Sequence, residues 1–180
     1  MVDFQRRSGA ADVAAAALRE AYTGVRMKAG KGVPHAEETA RVLRAAGCPD
    51  AVVLAGLLHD VVEDTPWTVA DISVRFGPAV AGLVAAVTED DTIASYRPRK
   101  GALREQIALA GRDAIDIALA DKVASLRYAI EHGKRVPKRK IAHYVATLAM
   151  VEWAGHPALG REVADLLATL DARDRAALTS

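Results

Sequence analysis

One cysteine, Cys48, stands in 180 residues, so no disulfide can form within the chain. A lone thiol fits a reducing cytoplasm and argues against a secreted disulfide scaffold. Aromatic residues are scarce at 4%, and β-branched residues nowhere alternate with polar ones over a strand's length. Both absences speak against a β-protein. Long apolar runs are missing too. Ala51 to Leu58 and Ala79 to Val87 are the longest, far below the roughly 20 residues needed to cross a bilayer. The first ten residues hold Asp3, Arg6 and Arg7 and no apolar stretch, so no secretory signal is expected. Neither charge is in excess. Lys and Arg total 24 against 23 Asp and Glu, a net +1. That removes the bulk electrostatic case for a nucleic-acid partner and leaves room for a local basic pocket.

What is abundant is alanine, about a fifth of the chain and the residue of highest helix propensity. Gly and Pro then cut the chain into segments. A first helix is expected from about Asp12 to Lys28, with Asp12 as cap. A second runs from near His35 to Gly47, and a third from after Pro49 through Val62. The third is apolar nearly all round, which predicts a central position. Thr68 and Asp71 have capping-box spacing for a short fourth helix ending at Phe76-Gly77. Pro78 opens a fifth, through Val87. A loop from Thr88 to Arg99 follows, then helices at about 101–110, 113–132, 137–153 and 158–172. No repeat or low-complexity linker interrupts this pattern, so a single all-α helical bundle over residues 1–180 is expected. Trp67, Trp153 and Tyr144 would pack internally or form an interface; the sequence leaves the oligomeric state open.

The segment Leu57-Leu58-His59-Asp60-Val61-Val62-Glu63-Asp64-Thr65 is unlike ordinary core helix. Four ionisable groups lie at the end of the most apolar helix, where an unpaired charge costs several kcal/mol. His59 with Glu63, and Asp60 with Asp64, are spaced i,i+4 and share helix faces. His35 opens the second helix, and Asp121 interrupts the apolar stretch Ile115 to Leu126. Taken singly, each has an ordinary explanation: a helix cap for His35, an ion pair with Lys122 or Arg127 for Asp121, solvated helix-end acids for Glu63 and Asp64. Taken together, two imidazoles and two carboxylates suit a divalent metal such as Mn, Fe, Co or Zn.

These residues carry a resemblance. His35, His59-Asp60 and Asp121 match the H…HD…D signature of the HD-domain metal-dependent phosphohydrolases. The block from Leu57 to Thr65, with Phe76-Gly77, Val84 to Thr88 and Leu119-Ala120-Asp121-Lys122, is similar to the hydrolase domain of the RelA/SpoT alarmone enzymes. Val87-Thr88-Glu89-Asp90-Asp91-Thr92, followed by Arg97, Lys100 and Arg104-Glu105-Gln106, is most similar to the small stand-alone alarmone hydrolases. The resemblance spans about Val13 to Tyr128, within a motif-bearing core of about 13–130. The helices at about 137–172 carry no motif.

The resemblance implies a cytoplasmic, Mn2+-dependent 3′-pyrophosphohydrolase. Its substrate would be guanosine tetra- or pentaphosphate, its products GDP or GTP and pyrophosphate. His35, His59, Asp60 and Asp121 would bind the metal, while Glu63 and Asp64 would orient and deprotonate the attacking water. Arg26 matches a base-stacking arginine of the family, and Arg97 and Lys100 match basic positions of its loop; Lys28 and Arg99 read as solvated surface. The implied partner is a small nucleotide, with no nucleic acid and no membrane. Several positions depart from the family. Gly32-Val33-Pro34 lacks the usual Tyr before His35, Met27 replaces a common Lys, and Ser125 replaces an Asn, whereas Arg127 is retained. The metal site reads as intact and the nucleoside pocket as altered. A phosphohydrolase of another nucleotide, such as NADPH or a nucleoside monophosphate, is therefore the alternative. A nucleotide-sensing module has no need of Glu63 and Asp64, and a bare helical scaffold has no need of the buried ionisable cluster.

Overall fold

A computed structural model describes residues 13–27, 30–152 and 154–176. Within them the chain is helical and contains no strand, as the composition requires. Helix α1 covers 13–21, followed by α2 (Val33–Ala45), α3 (Asp50–Leu58), α4 (Val61–Asp64), α5 (Val69–Phe76) and α6 (Pro78–Val87). Then come α7 (Tyr96–Ala110), α8 (Arg112–Glu131), α9 (Lys138–Leu148), a 3-10 turn (Ala149–Glu152) and α10 (Pro157–Ala176). No helix among these residues is long and apolar enough to cross a membrane.

Local chemistry sets most of these boundaries. At the start of α5, Thr68 Oγ1 accepts from the Asp71 amide at 3.2 Å and Asp71 Oδ2 accepts from the Thr68 amide at 2.8 Å, a complete capping box. Pro34 and Pro78 occupy first-turn positions, where a missing N–H costs nothing. Three expectations need correction. Helix α1 stops at residue 21 rather than 28, because the chain turns through Thr23 and Gly24, with Gly24 at φ +77°; the expected cap Asp12, like Lys28, lies outside the described residues. The third helix is interrupted at His59-Asp60, giving α3 and the single turn α4. Helix α7 begins five residues early, at Tyr96, since Pro98 in its first turn does not oppose it. The loop shrinks to 88–95.

Helix α8 is the hub. It packs against α2, α3, α6, α7, α9 and α10 and buries Ile115, Ile117, Leu119, Val123 and Leu126. Helix α3 is central as expected, meeting α2, α6 and α8. At Gly56 a Cβ would come within 2.2 Å of Leu43 Cδ1, so the missing side chain lets α2 and α3 approach closely. Trp67 packs on the core beneath the Arg75 guanidinium, 4.2 Å from its ring centre. Tyr144 is buried, while Trp153 lies outside the described residues.

Candidate metal centre and its flanking pockets

Three chain segments converge between α2, α8 and the α3–α4 break. Gly32, at φ +77°, and Pro34 start α2 and place His35 in its first turn, buried with 2% of its side chain exposed. Its Nε2 lies 2.9 Å from Asp121 Oδ1 and 3.9 Å from Asp60 Oδ2. The Thr39 hydroxyl donates to the His35 carbonyl at 3.0 Å and fixes that turn.

His59 follows the last residue of α3, where a helix leaves carbonyls without intrahelical partners. Its Nδ1 is 2.7 Å from the Gly56 carbonyl oxygen. A carbonyl only accepts, so Nδ1 carries the proton and Nε2 presents its lone pair. That Nε2 is buried and has no hydrogen-bond partner. It lies 3.1 Å from Asp60 Oδ1 and 3.9 Å from Asp121 Oδ1. A lone pair turned toward two carboxylates in a buried site requires a positive charge between them. The titration of His59 expresses that demand in another way. With no cation bound, Asp60 and Asp121 push the imidazole up to about 9 against the effect of burial, so a second proton on Nε2 supplies the charge that a cation would otherwise bring. The donor atoms of His35, His59 and Asp121 all lie within 4.8 Å of one another. An imidazole held in one tautomer by a backbone carbonyl is the usual support of a metal-ligating histidine. The residues present therefore fit a divalent cation.

Asp121 sits in mid-α8. Burial opposes its ionisation, but Lys122, His35 and Lys31 hold it well below the usual carboxylate range. Lys122 Nζ is 2.5 Å from Asp121 Oδ2 and 5.7 Å from the centre of the Tyr144 ring. Of the two partners the sequence offered, Lys122 is the one used. Arg127 instead pairs with Glu38 at 2.7 Å and with Glu162. Lys31 contacts Asp60 Oδ2 at 3.0 Å; the sequence reading treated it only as part of a helix break. Ser125 Oγ donates to Asp121 Oδ1 over a long 3.4 Å and also hydrogen-bonds Tyr144.

A cavity of about 70 Å³ lies here, its wall including Lys31, His59, Asp60, Glu63, Lys100 and Asp121. Glu63 accepts the Glu89 amide at 2.7 Å, and burial raises its carboxyl. Asp64 accepts from the Tyr22 hydroxyl at 2.9 Å and is also raised by burial, but it does not line the cavity. Glu89, part of the quoted loop motif but given no role in the sequence, pairs with Lys100 and, at 2.7 Å, with Arg99. Arg99 also donates to the Ile93 carbonyl at 2.9 Å, so it clamps the loop rather than facing solvent freely.

Three larger pockets flank the cavity, one of them, about 550 Å³, beside Glu63, Glu89 and Arg99. On the His35 side, about 410 Å³ is lined by Gly30, Lys31, His35, Arg127, Tyr128 and neighbours. Tyr128 stacks on His132 with ring centres 4.1 Å apart. A Cβ on Gly30 would meet the Tyr128 ring at 2.4 Å, so this pocket depends on glycine there. On the Lys100 side, about 510 Å³ is bounded by Tyr96, Arg97, Lys100, Arg104, Arg139 and His143. Arg26 is exposed on the segment after α1 and lines none of these pockets. Helix α9, which carried no motif, thus supplies Arg139 and His143 to the pocket on the Lys100 side and Tyr144 to the side of Lys122; the i,i+4 spacing of Arg139 and His143 was the only signal available.

The HD domain family model matches residues 10–150. The Homo sapiens guanosine-3′,5′-bis(diphosphate) 3′-pyrophosphohydrolase is 41% identical over 123 residues, 66% of this chain and 66% of that protein. The Drosophila melanogaster protein of the same name is 39% identical over 97 residues, 53% of this chain and 54% of that one. The chain thus spans between about half and two thirds of the length of these curated relatives. A Listeria monocytogenes EGD-e protein of known structure superposes with TM-score 0.65 at 34% identity, covering 74% of this chain and 90% of that one. A solved metazoan orthologue of SpoT, described as hydrolysing ppGpp, gives TM-score 0.69 at 26% identity over 91% of this chain and 94% of that one. With its H…HD…D residues gathered at one buried point and the family match covering most of its length, the chain belongs to the HD domain family.

Proposed function

We propose that this chain is a metal-dependent phosphohydrolase that removes the 3′-pyrophosphate of guanosine 3′,5′-bis(diphosphate), giving GDP and pyrophosphate, and GTP from the pentaphosphate. The observation that carries the reading is the buried, unpartnered Nε2 of His59 facing Asp60 and Asp121. The activity named for the human and fly relatives supports the substrate.

His35, His59, Asp60 and Asp121 would hold one divalent cation, Mn2+ in this reading, within a single HD hydrolase domain. When bound, such a cation supplies Lewis acidity that lowers the pKa of water and neutralises phosphoryl oxygens. Glu63, on the cavity wall and oriented by the Glu89 amide, takes the proton of the attacking water. Water oxygen joins the phosphorus attached to O3′, the O3′–P bond breaks, and the proton ends on the departing ribose oxygen. Asp64, tied to Tyr22 and off the cavity wall, supports the water-activating role of Glu63 rather than meeting the water itself. Lys100 and Arg97 meet the phosphates, as point charge and fork respectively.

The nucleoside lies in the 410 Å³ pocket, where Tyr128 and Arg127 supply flat surfaces and stand in for the tyrosine missing before His35. The base-stacking role that the resemblance implies for Arg26 would need this exposed side chain to approach the pocket, whose wall it does not form. Ser125, whose hydroxyl is engaged by Asp121 and Tyr144, reaches the sugar less well than an amide would. That engagement favours the second reading, hydrolysis of another nucleotide such as NADPH or a nucleoside monophosphate, in a cytoplasmic enzyme. The deciding experiment is incubation of the purified chain with Mn2+ and guanosine 3′,5′-bis(diphosphate), NADPH and nucleoside monophosphates, with product identification. GDP and pyrophosphate are expected, and neither in the Asp121→Asn variant. Turnover of NADPH or a monophosphate without turnover of the guanosine bis(diphosphate) would establish the second reading.

A further inference from the structure

The pocket between α7 and α9 is built from two helix faces. Tyr96, Lys100 and Arg104 recur at i, i+4 and i+8 along α7, with Arg97 beside them, and Arg139 and His143 face them from α9. Its charge is unbalanced. Lys100 is paired with Glu89, but among the described residues no carboxylate pairs with Arg97, Arg104 or Arg139. The Arg139 guanidinium lies 5.0 Å from the centre of the Tyr96 ring, and Lys100 Nζ lies 5.9 Å from it.

His143 gives a second, independent sign. It is 5% exposed, and an Arg104 NH group is 2.9 Å from its Nδ1. A guanidinium only donates, so Nδ1 accepts and the ring proton sits on Nε2. That Nε2–H is buried and has no acceptor; the Tyr96 hydroxyl, also buried, has no partner either. Burial and then the cations Lys122, Lys100 and Arg104 keep the imidazole neutral, its pKa held down to about 3. Three guanidiniums without carboxylate partners among the described residues thus line the pocket, and enclosed in its wall are two donors that no protein acceptor satisfies. Its missing complement is an anion rich in acceptor oxygens.

We propose that the pocket formed by Arg97, Arg104, Arg139 and His143 binds a diphosphate group at a position adjoining, but separate from, the candidate metal cavity. Planar guanidiniums bind phosphate oxygens in pairs, and three of them exceed what one phosphate needs. Lys100 lines both spaces, so the pocket can take the uncleaved diphosphate arm of a substrate reacting at the cavity. This assignment rests on the hydrolase reading. The same chemistry would also hold free pyrophosphate as an effector.

The test is calorimetric titration of the full chain with inorganic pyrophosphate, with EDTA present to remove metal-bridged binding. Wild type should bind, with affinity falling as salt rises. The Arg104→Gln/Arg139→Gln variant should bind at least tenfold more weakly, while Arg104→Lys/Arg139→Lys keeps part of the affinity and Arg75→Gln all of it. Circular dichroism melts check that each variant is folded. Undiminished binding by the folded Gln variant, or no binding by wild type, overturns the proposal. With Mn2+ and guanosine 3′,5′-bis(diphosphate), a rise in KM at constant kcat in the Gln variant marks the substrate-arm source. A pyrophosphate effect on rate that is not competitive marks the effector source. If no nucleotide is hydrolysed yet pyrophosphate binding requires Arg104 and Arg139, the hydrolase reading fails and the anion pocket stands.

Discussion

The two acids after His59-Asp60 have different surroundings, and that difference is testable. Glu63 faces the cavity, whereas Asp64 is turned to the Tyr22 hydroxyl. Glu63→Gln should lower kcat by about 10²- to 10⁴-fold, the usual cost of losing a general base, with metal binding retained. Asp64→Asn should cost less, and Tyr22→Phe should reproduce part of its loss. Equal rates for wild type and Glu63→Gln would remove Glu63 from the chemistry. Asp121→Ala, by contrast, should abolish metal binding itself; unchanged Mn2+ affinity by calorimetry would exclude Asp121 as a ligand. At this scale the sequence was informative about identity and silent about company. His35, His59, Asp60 and Asp121 were found because histidines and acids in apolar helices are rare and expensive. Lys31 was not assigned to the site, because a lysine's partner is decided by which element packs over it, whereas Lys122 was weighed as a partner of Asp121 and is one. Arg127 was placed at the substrate, but it also forms two ion pairs, with Glu38 and Glu162.

Among the helices, Gly and Pro marked most ends correctly. The failures are instructive. His59 has φ −58° and ψ −36°, and Asp60 φ −91° and ψ −6°. The backbone hardly leaves the helical region, and neither residue is a helix breaker, so composition gave no warning of the break between α3 and α4. Its effect is local and chemical, since His59 can reach the Gly56 carbonyl there. The close approach of α2 and α3 at Gly56 makes a prediction of its own. Gly56→Ala has better helix propensity, but its Cβ would collide with Leu43 Cδ1. Overpacking of this kind costs about 1–3 kcal/mol, more than the ~1 kcal/mol alanine contributes. A lower urea midpoint is expected; a higher one would mean that Leu43 moves aside without cost. Helix α9 illustrates the opposite limit. Its residues look like a solvated basic segment, and only docking beside α7 turns them into a pocket wall.

For the whole molecule, stability should respond to pH through His143. Its unfolded value is about 6.5 and its folded value is held down to about 3 by burial and neighbouring cations. Between these values the unfolded chain binds the extra proton, so stability is fully present above about 6.5 and falls as pH drops toward 3. The slope from this group approaches about 1.4 kcal/mol per pH unit. Comparing urea unfolding of wild type and His143→Gln from pH 7 to 5 isolates it; parallel curves would contradict the buried neutral imidazole. Chelation should also destabilise the fold, since a cation bound only by the native state adds about 2.7 kcal/mol at a hundredfold excess over Kd. A melting temperature indifferent to EDTA would contradict the metal site. The proposed ligands also impose an order on biosynthesis. His35, His59 and Asp60 lie early in the chain, but Asp121, 86 residues after His35, sits midway along α8. A ribosome must release α8 before the set is complete. On that ligand set a nascent chain halted before residue 121 offers only a partial site, and acquiring the ion becomes a late, post-folding event that reports whether the hub helix has docked.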